Sequence, residues 1–164
     1  IADGVPEPLP EIAEWEDYLA DGISKDLTLD DTEKTALVQA RRGQGQFKKN
    51  VYRIEKKCRI TGVDKLEHLI ASDTKPWRDC ETAEERLDPE NGLMLTPSID
   101  HLFDRGFISF ENGGELLISP VAHRESLCRM GVSSEGVNVG SFSTGQRDYM
   151  EFHRESVFLQ ANLG

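Results

Sequence analysis

The sequence predicts a small α+β fold, and three observations carry that expectation. Directly after Asn91-Gly92, the apolar run Leu93-Met94-Leu95-Thr96 reads as a buried strand. Phe107 to Phe110 and Glu115 to Ser119 flank the turn residues Glu111-Asn112-Gly113-Gly114, the pattern of an added β-hairpin with a loop of about four residues. Flanking helices are expected from Gln46, where Phe47, Val51 and Ile54 make one apolar stripe, and over Arg147 to Leu159, where Tyr149, Phe152, His153 and Phe158 are available for packing.

Composition narrows the function. A chain of 164 residues suits one domain with an appendage. No apolar run approaches the roughly 18 residues that span a bilayer, and the start lacks a basic segment followed by an apolar one, so we expect a soluble protein without a signal peptide or membrane partner. Cys58, Cys80 and Cys128 are odd in number and lack Cys-x-x-Cys spacing, which argues against a disulfide framework and a four-cysteine zinc, and makes a reducing cytoplasm the expected compartment. The net charge of −11 conceals a sharp reversal. Residues 1–40 hold 11 acids and 2 bases, a net of −9, leaving −2 for residues 41–164. Residues 41–59 then carry eight bases, Arg41, Arg42, Lys48, Lys49, Arg53, Lys56, Lys57 and Arg59, against Glu55 alone. Such a run is a solvated helix face by default and a phosphate-binding surface where a neighbouring motif asks for one.

In chain order, the three prolines of residues 1–10 and the missing initiator Met suggest a linker entering from a longer protein. Short helices are expected over Glu11 to Leu19 and from Thr28 to Val38. The basic segment follows as an amphipathic helix. Cys58 to Gly62 reads as a short strand closed by a glycine turn, with Cys58 packed rather than reactive. Leu66 to Ile70 is too short for periodicity to decide between helix and strand. Pro76 turns Lys75 away from helix, residues 78–90 form a polar loop, and Ser98 to Phe103 form a helix closed by Asp104-Arg105-Gly106. Residues 131–145, rich in Gly, Ser and Val, read as a loop. No glycine-rich phosphate loop, zinc-protease helix or nucleophile elbow is present.

Residues 58–110 resemble the catalytic core of HNH nucleases, and a weaker likeness extends over roughly residues 46–160. The resemblance rests on Cys58-x-x-Thr61-Gly62, Ala71-Ser72, Lys75-Pro76-Trp77, Asn91-Gly92-Leu93-x-Leu95, Leu102-Phe103-Asp104-Arg105-Gly106 and the closing Phe152-His153-Arg154-Glu155-x-Val157-Phe158. It implies a ββα-metal core: a strand ending in a general base, a second strand preceded by an Asn that orients the base, and a helix supplying a metal ligand. The chain departs from the pattern at one position. Where the family places His, Asp73 stands, followed by Thr74 rather than Ile.

Hydrolysis of a phosphodiester needs a deprotonated water, a cation near the developing charge and help for the leaving oxygen. The resemblance assigns the base position to Asp73 and the orienting position to Asn91, which is otherwise a plain Asn-Gly turn. Nine residues after Asn91 the register reaches Asp100, a sound ligand for Mg²⁺ or Mn²⁺, with His101 next to it as the rival for a softer ion. Adjacent helical residues point about 100° apart, so one of the two is expected to face the site. Lys75, and Arg105 beside Asp104, join Arg41, Arg42, Lys48, Lys49, Arg53, Lys56 and Lys57 as candidate phosphate contacts. An unperturbed Asp, with a pKa of about 3.9 against about 6.5 for His, is a weak base at neutral pH. Impaired cleavage is therefore expected, recoverable by about 10²-fold in Asp73→His. His68, five residues upstream of Asp73, falls on the opposite strand face if the segment is extended.

The resulting expectation is an acidic N-terminal segment, residues 1–40, followed by an HNH nuclease-like domain, residues 41–164. Its partner would be double-stranded DNA and its cofactor a divalent metal ion. The resemblance further implies the C-terminal nuclease part of a restriction or defence protein whose missing N-terminal part selects the target. Cutting both strands with one site per chain would favour a homodimer. The rival expectations are an inactive descendant that keeps the fold to bind nucleic acid, and a protein-interaction module that uses the acidic segment.

Overall fold

The structure, a computed structural model, describes Asp30, residues 45–133 and residues 136–160. The helices expected over residues 11–19 and 28–38, the acidic segment as a unit, and Arg41 and Arg42 lie outside the described residues, Asp30 excepted.

The described chain mixes helices with two small antiparallel sheets, an α+β architecture. A helix over residues 45–54 (α1) buries Phe47 and Val51. Ile54, the third member of the expected stripe, is 46% exposed, because the helix stops there and Lys56 and Lys57 follow outside it. Cys58 to Gly62 is a turn rather than the expected strand. Cys58 N–H donates to the Val63 carbonyl at 2.9 Å and Gly62 N–H to the Cys58 carbonyl at 2.8 Å, so the alternating pattern is spent on a local loop that buries Cys58. Leu66–His68 forms a 3₁₀ turn.

Strands β1 (Ile70–Asp73) and β2 (Gly92–Leu95) pair antiparallel, with Asp73 opposite Gly92 and Ser72 opposite Leu93. Between them, the expected polar loop holds a 3₁₀ turn at Trp77–Asp79, a short helix α2 (Ala83–Leu87) capped by Thr82, and a 3₁₀ turn at Pro89–Asn91. Gly92 is extended, with φ −148°, and serves close approach rather than turning. A Cβ there would stand 2.6 Å from Val51 Cγ2 and 2.9 Å from Phe47 Cζ, so its absence lets α1 pack directly beneath the end of the sheet that carries Asp73.

Helix α3 (Pro97–Asp104) packs against both strands. Pro97 suits its first turn, and Ile99, Leu102 and Phe103 bury its inner face at helical spacing. The helix ends in a Schellman motif: Phe107 N–H reaches the Leu102 carbonyl at 2.8 Å and Gly106 N–H the Phe103 carbonyl at 3.1 Å, with Gly106 at φ +80°. Strands β3 (Ile108–Phe110) and β4 (Leu116–Ile118) form the hairpin that the sequence predicts, slightly shorter at both ends. Helix α4 (Arg124–Arg129), unforeseen in the sequence, is capped by His123, whose ring accepts from Ser126 N–H. Helix α5 (Thr144–Phe152) starts earlier than expected, at a capping box formed by Ser143 and Gln146, and continues into one π turn, His153–Val157.

His153 joins the C-terminal segment to the core. Its ring stacks on Phe103 at 3.8 Å with 4° between planes and is 1% exposed. Nε2 lies 2.8 Å from the Phe103 carbonyl, which can only accept, so Nε2 carries the proton and Nδ1 accepts from the Ser109 hydroxyl at 2.7 Å. Burial lowers its pKa to about 4, outweighing the Phe103 carbonyl and Asp104, which act in the opposite direction. The fold excludes a proton that the unfolded chain takes up below about pH 6.5. The stability contributed by neutral His153 is therefore complete above about pH 6.5, erodes as pH falls towards 4 and levels off below it. Thermal unfolding from pH 7.5 to 4 should show this loss, up to about 3 kcal/mol, and His153→Gln should flatten that part of the profile.

Candidate active site

The end of β1 and the outer face of α3 enclose a cavity of about 490 Å³. Asp73, Asp100 and Asp104 line it, with Ser72 and Ala71 from the strand. Pro76, Trp77 and Arg78 form its other wall. Asp100 and Asp104 come one helical turn apart, the spacing that places two side chains on the same face.

Asp73 is half-buried, and its Oδ1 is buried with no hydrogen-bond partner among the described residues. Burial, then the charges of Asp104 and Asp100, raise its pKa to about 6. Asp100 is shifted upward as well, mainly by burial and further by Asp104, against a lowering hydrogen bond with Ser72. His101 is exposed, does not line the cavity, and lies with its ring 6.2 Å from that of Phe107. Of the two candidate metal ligands, the helix thus turns Asp100 towards Asp73 and His101 away.

Asn91 is fully buried and acts on backbone rather than on the Asp73 side chain. Its Oδ1 accepts from Lys75 N–H at 2.7 Å, and its Nδ2 donates to the carbonyls of Lys75 at 3.1 Å and Glu85 at 3.2 Å and contacts Cys80 Sγ at 3.6 Å. Thr74 N–H adds a bond to the Asn91 carbonyl at 3.2 Å. These bonds hold the two residues after Asp73, at the end of β1.

The candidate cations differ in what they can reach. Lys75 points inward: its Nζ lies 3.2 Å from Glu85 Oε2 and 5.0 Å from the Phe152 ring centroid, with the side chain 16% exposed. The expectation that Lys75 contacts phosphate does not fit this placement, since the ammonium already bridges α2 to α5. Arg59 is likewise engaged, in a bidentate pair with Glu55 and over the Phe142 ring. Arg53 bonds Asn50 on α1, and Lys48 is half-buried. Lys49, Lys56, Lys57 and Arg105 are exposed. Asp104 and Arg105 form no ion pair with each other among the described residues, and the end of α3 is closed by the Gly106 motif.

The sequence reading missed Asp104 and Arg78 as residues of this cavity. The four-residue step from Asp100 could have found Asp104. For Arg78, adjacency to Lys75-Pro76-Trp77 was the only signal.

Residues 58–111, less than half of the chain, match the family model described as HNH endonuclease. This segment is similar to HNH endonucleases. The matched residues run from the Cys58 turn through β1, β2 and α3 to the end of β3, so the cavity lies wholly within the HNH endonuclease segment, and α1 and α5 pack on it from outside the match. The match suggests nuclease function, the hydrolysis of phosphodiester bonds. No curated protein matches the chain. No helix among the described residues is long and apolar enough to cross a membrane.

Proposed function

We propose that the domain is a divalent-metal-dependent DNA endonuclease of the ββα-metal type, with β1, β2 and α3 as its catalytic unit. The observation that carries this reading is the convergence of Asp73, Asp100 and Asp104 on one cavity inside the family-matched segment.

The donors present suit a hard cation. All are carboxylates; burial first, and then the charges of Asp104 and Asp100, raise the pKa of Asp73, whose Oδ1 lacks any partner among the described residues. No three His, Cys, Asp or Glu side chains among the described residues are grouped closely enough to hold an ion by themselves. A Mg²⁺-type site needs only one or two carboxylates, completed by water and substrate phosphate. Asp100 and Asp104 would hold the ion, which supplies positive charge for the phosphate and its leaving oxygen.

The remaining chemistry belongs to the chain. Asp73 accepts the proton of the attacking water at a carboxylate oxygen, with a pKa brought close to that of an imidazole. Asn91 keeps the end of β1 in place so that this oxygen faces the cavity. Lys49, Lys56 and Lys57 lie on or just beyond the helix that packs under Gly92, and offer exposed charge for the duplex backbone.

Calorimetric titration with Mn²⁺ and plasmid cleavage with Mg²⁺ test the ligand assignment together. Asp100→Asn should weaken the ion by at least about tenfold, equivalent to ~1.4 kcal/mol, and reduce cleavage with it, whereas His101→Ala should leave ion binding within about threefold. The reverse ranking would place the ion on the other side of α3 and remove the cavity from the mechanism.

A further inference from the structure

The wall of the cavity opposite α3 has no part in the chemistry above. It is built from the 3₁₀ turn Trp77–Asp79, which is rigidly held: Asp79 N–H donates to the Pro76 carbonyl at 2.8 Å, and Arg86 clasps the turn by donating to the carbonyls of Trp77 at 3.3 Å and Cys80 at 3.0 Å. The Arg86 guanidinium also sits over the Trp77 ring, 5.5 Å from its centroid. Despite these contacts Trp77 remains 44% exposed and lines the cavity. Arg78 beside it is also exposed, its side chain 73% accessible, and its only ion pair among the described residues is a long one of 3.8 Å to its neighbour Asp79. It is the only cation among the residues that line the cavity.

An exposed indole on a braced turn, beside a guanidinium and across a cavity from three carboxylates, is an arrangement made for a nucleotide. The indole presents an apolar surface on which a base can stack, and Arg86 over the ring adds cationic character to the platform. The guanidinium suits the adjoining phosphate, which it can grip with two parallel hydrogen bonds. A base inside an intact duplex cannot reach such a platform, because its faces are already covered by its neighbours.

Building on the nuclease reading, we propose that Trp77 stacks on an unpaired base next to the scissile phosphate while Arg78 holds that phosphate, so that the domain prefers DNA with an unpaired nucleotide at the cut over fully paired duplex. Trp77 and Arg78 are thus specificity residues for DNA structure.

The test uses the whole chain and two DNA duplexes of the same sequence, one fully paired and one with a single unpaired nucleotide. Binding is measured in Ca²⁺, followed by tryptophan emission and fluorescence anisotropy, and cleavage in Mg²⁺. The proposal expects the unpaired duplex to bind at least about fivefold more tightly, the lower end of what stacking one base on an aromatic ring provides. Its binding should quench Trp77 emission, with a wild-type minus Trp77→Phe difference showing that the signal is not from Trp15. Trp77→Ala should collapse the binding preference towards one and Trp77→Phe should retain most of it, while Arg78→Ala should weaken both complexes and lower the salt dependence of binding by a little under one unit, as expected for one lost phosphate contact. Cleavage of both duplexes with no preference in binding would overturn the platform and leave the nuclease reading standing. Failure to cleave either duplex, with the binding preference intact, would overturn the nuclease reading and leave the platform. Neither binding nor cleavage would overturn both.

Discussion

Asp73→Asn should reduce metal-dependent DNA cleavage by about 10²–10⁴-fold, the usual contribution of a positioned general base. The amide keeps the shape of the carboxylate but has no free pair basic enough to take the proton of water. Asp73→His should change the rate by no more than about tenfold, because an Asp with a pKa near 6 already lies within one unit of an unperturbed imidazole. This replaces the large recovery that sequence reasoning assigns to that substitution. Stability should move the other way. A carboxyl whose folded pKa is raised imposes a cost that is complete above about pH 6, shrinks as pH falls and is absent below about 3.8. The two-unit shift corresponds to at most about 3 kcal/mol, which partial exposure and solvent screening reduce to about 1–2 kcal/mol. In the absence of metal, Asp73→Asn should therefore be more stable than wild type at pH 7 by that amount and indistinguishable from it near pH 4. Loss of cleavage with gain of stability, read by kinetics and chemical denaturation on the same two proteins, is the signature of a side chain kept for function.

Gly106→Ala should destabilise the domain by about 3 kcal/mol, and chemical denaturation would show it. Two costs combine. At φ +80° an L side chain is strained by about 1 kcal/mol, and the new Cβ would run into the carbonyl of Val157, a backbone group that cannot swing aside. Leu159 N–H donates to the Gly106 carbonyl at 2.9 Å, so the same residue anchors the chain that follows α5. The substitution would separate the end of α3 from the C-terminal segment, and with it the site from the His153 stack that holds Phe103. A change below about 0.5 kcal/mol would mean that this closure is not what fixes α3.

The sequence made the scaffold legible where local chemistry decides it. Ile99, Leu102 and Phe103 at helical spacing predict α3, and Glu111-Asn112-Gly113-Gly114 predicts the hairpin, because both patterns report contacts within a few residues. It misled where a residue serves a distant partner. Gly92 follows Asn91 as in a turn, yet its missing side chain makes room for Val51, some forty residues earlier. Cys58 to Gly62 alternates like a strand, but no strand among the described residues pairs with it and the turn bonds of Cys58 and Val63 win. The site's geometry was legible in part. Asn91 is buried against the end of β1 and Asp100 lines the cavity, while the raised pKa of Asp73 depends on burial and on a helix thirty residues away and could not be read from residue type. Lys75 looks like an available cation in a row of letters, and only the approach of Glu85 and Phe152 shows otherwise.

Single-turnover cleavage of a supercoiled plasmid tests the central claim, that the carboxylate cavity hydrolyses DNA with a divalent ion. Wild type should convert the plasmid to nicked and linear forms in Mg²⁺ or Mn²⁺, show no conversion in EDTA, and lose the metal-dependent rate by about 10²-fold or more in Asp73→Asn. Equal conversion by wild type and by a folded, metal-binding Asp73→Asn, or none by wild type with either ion, would contradict it.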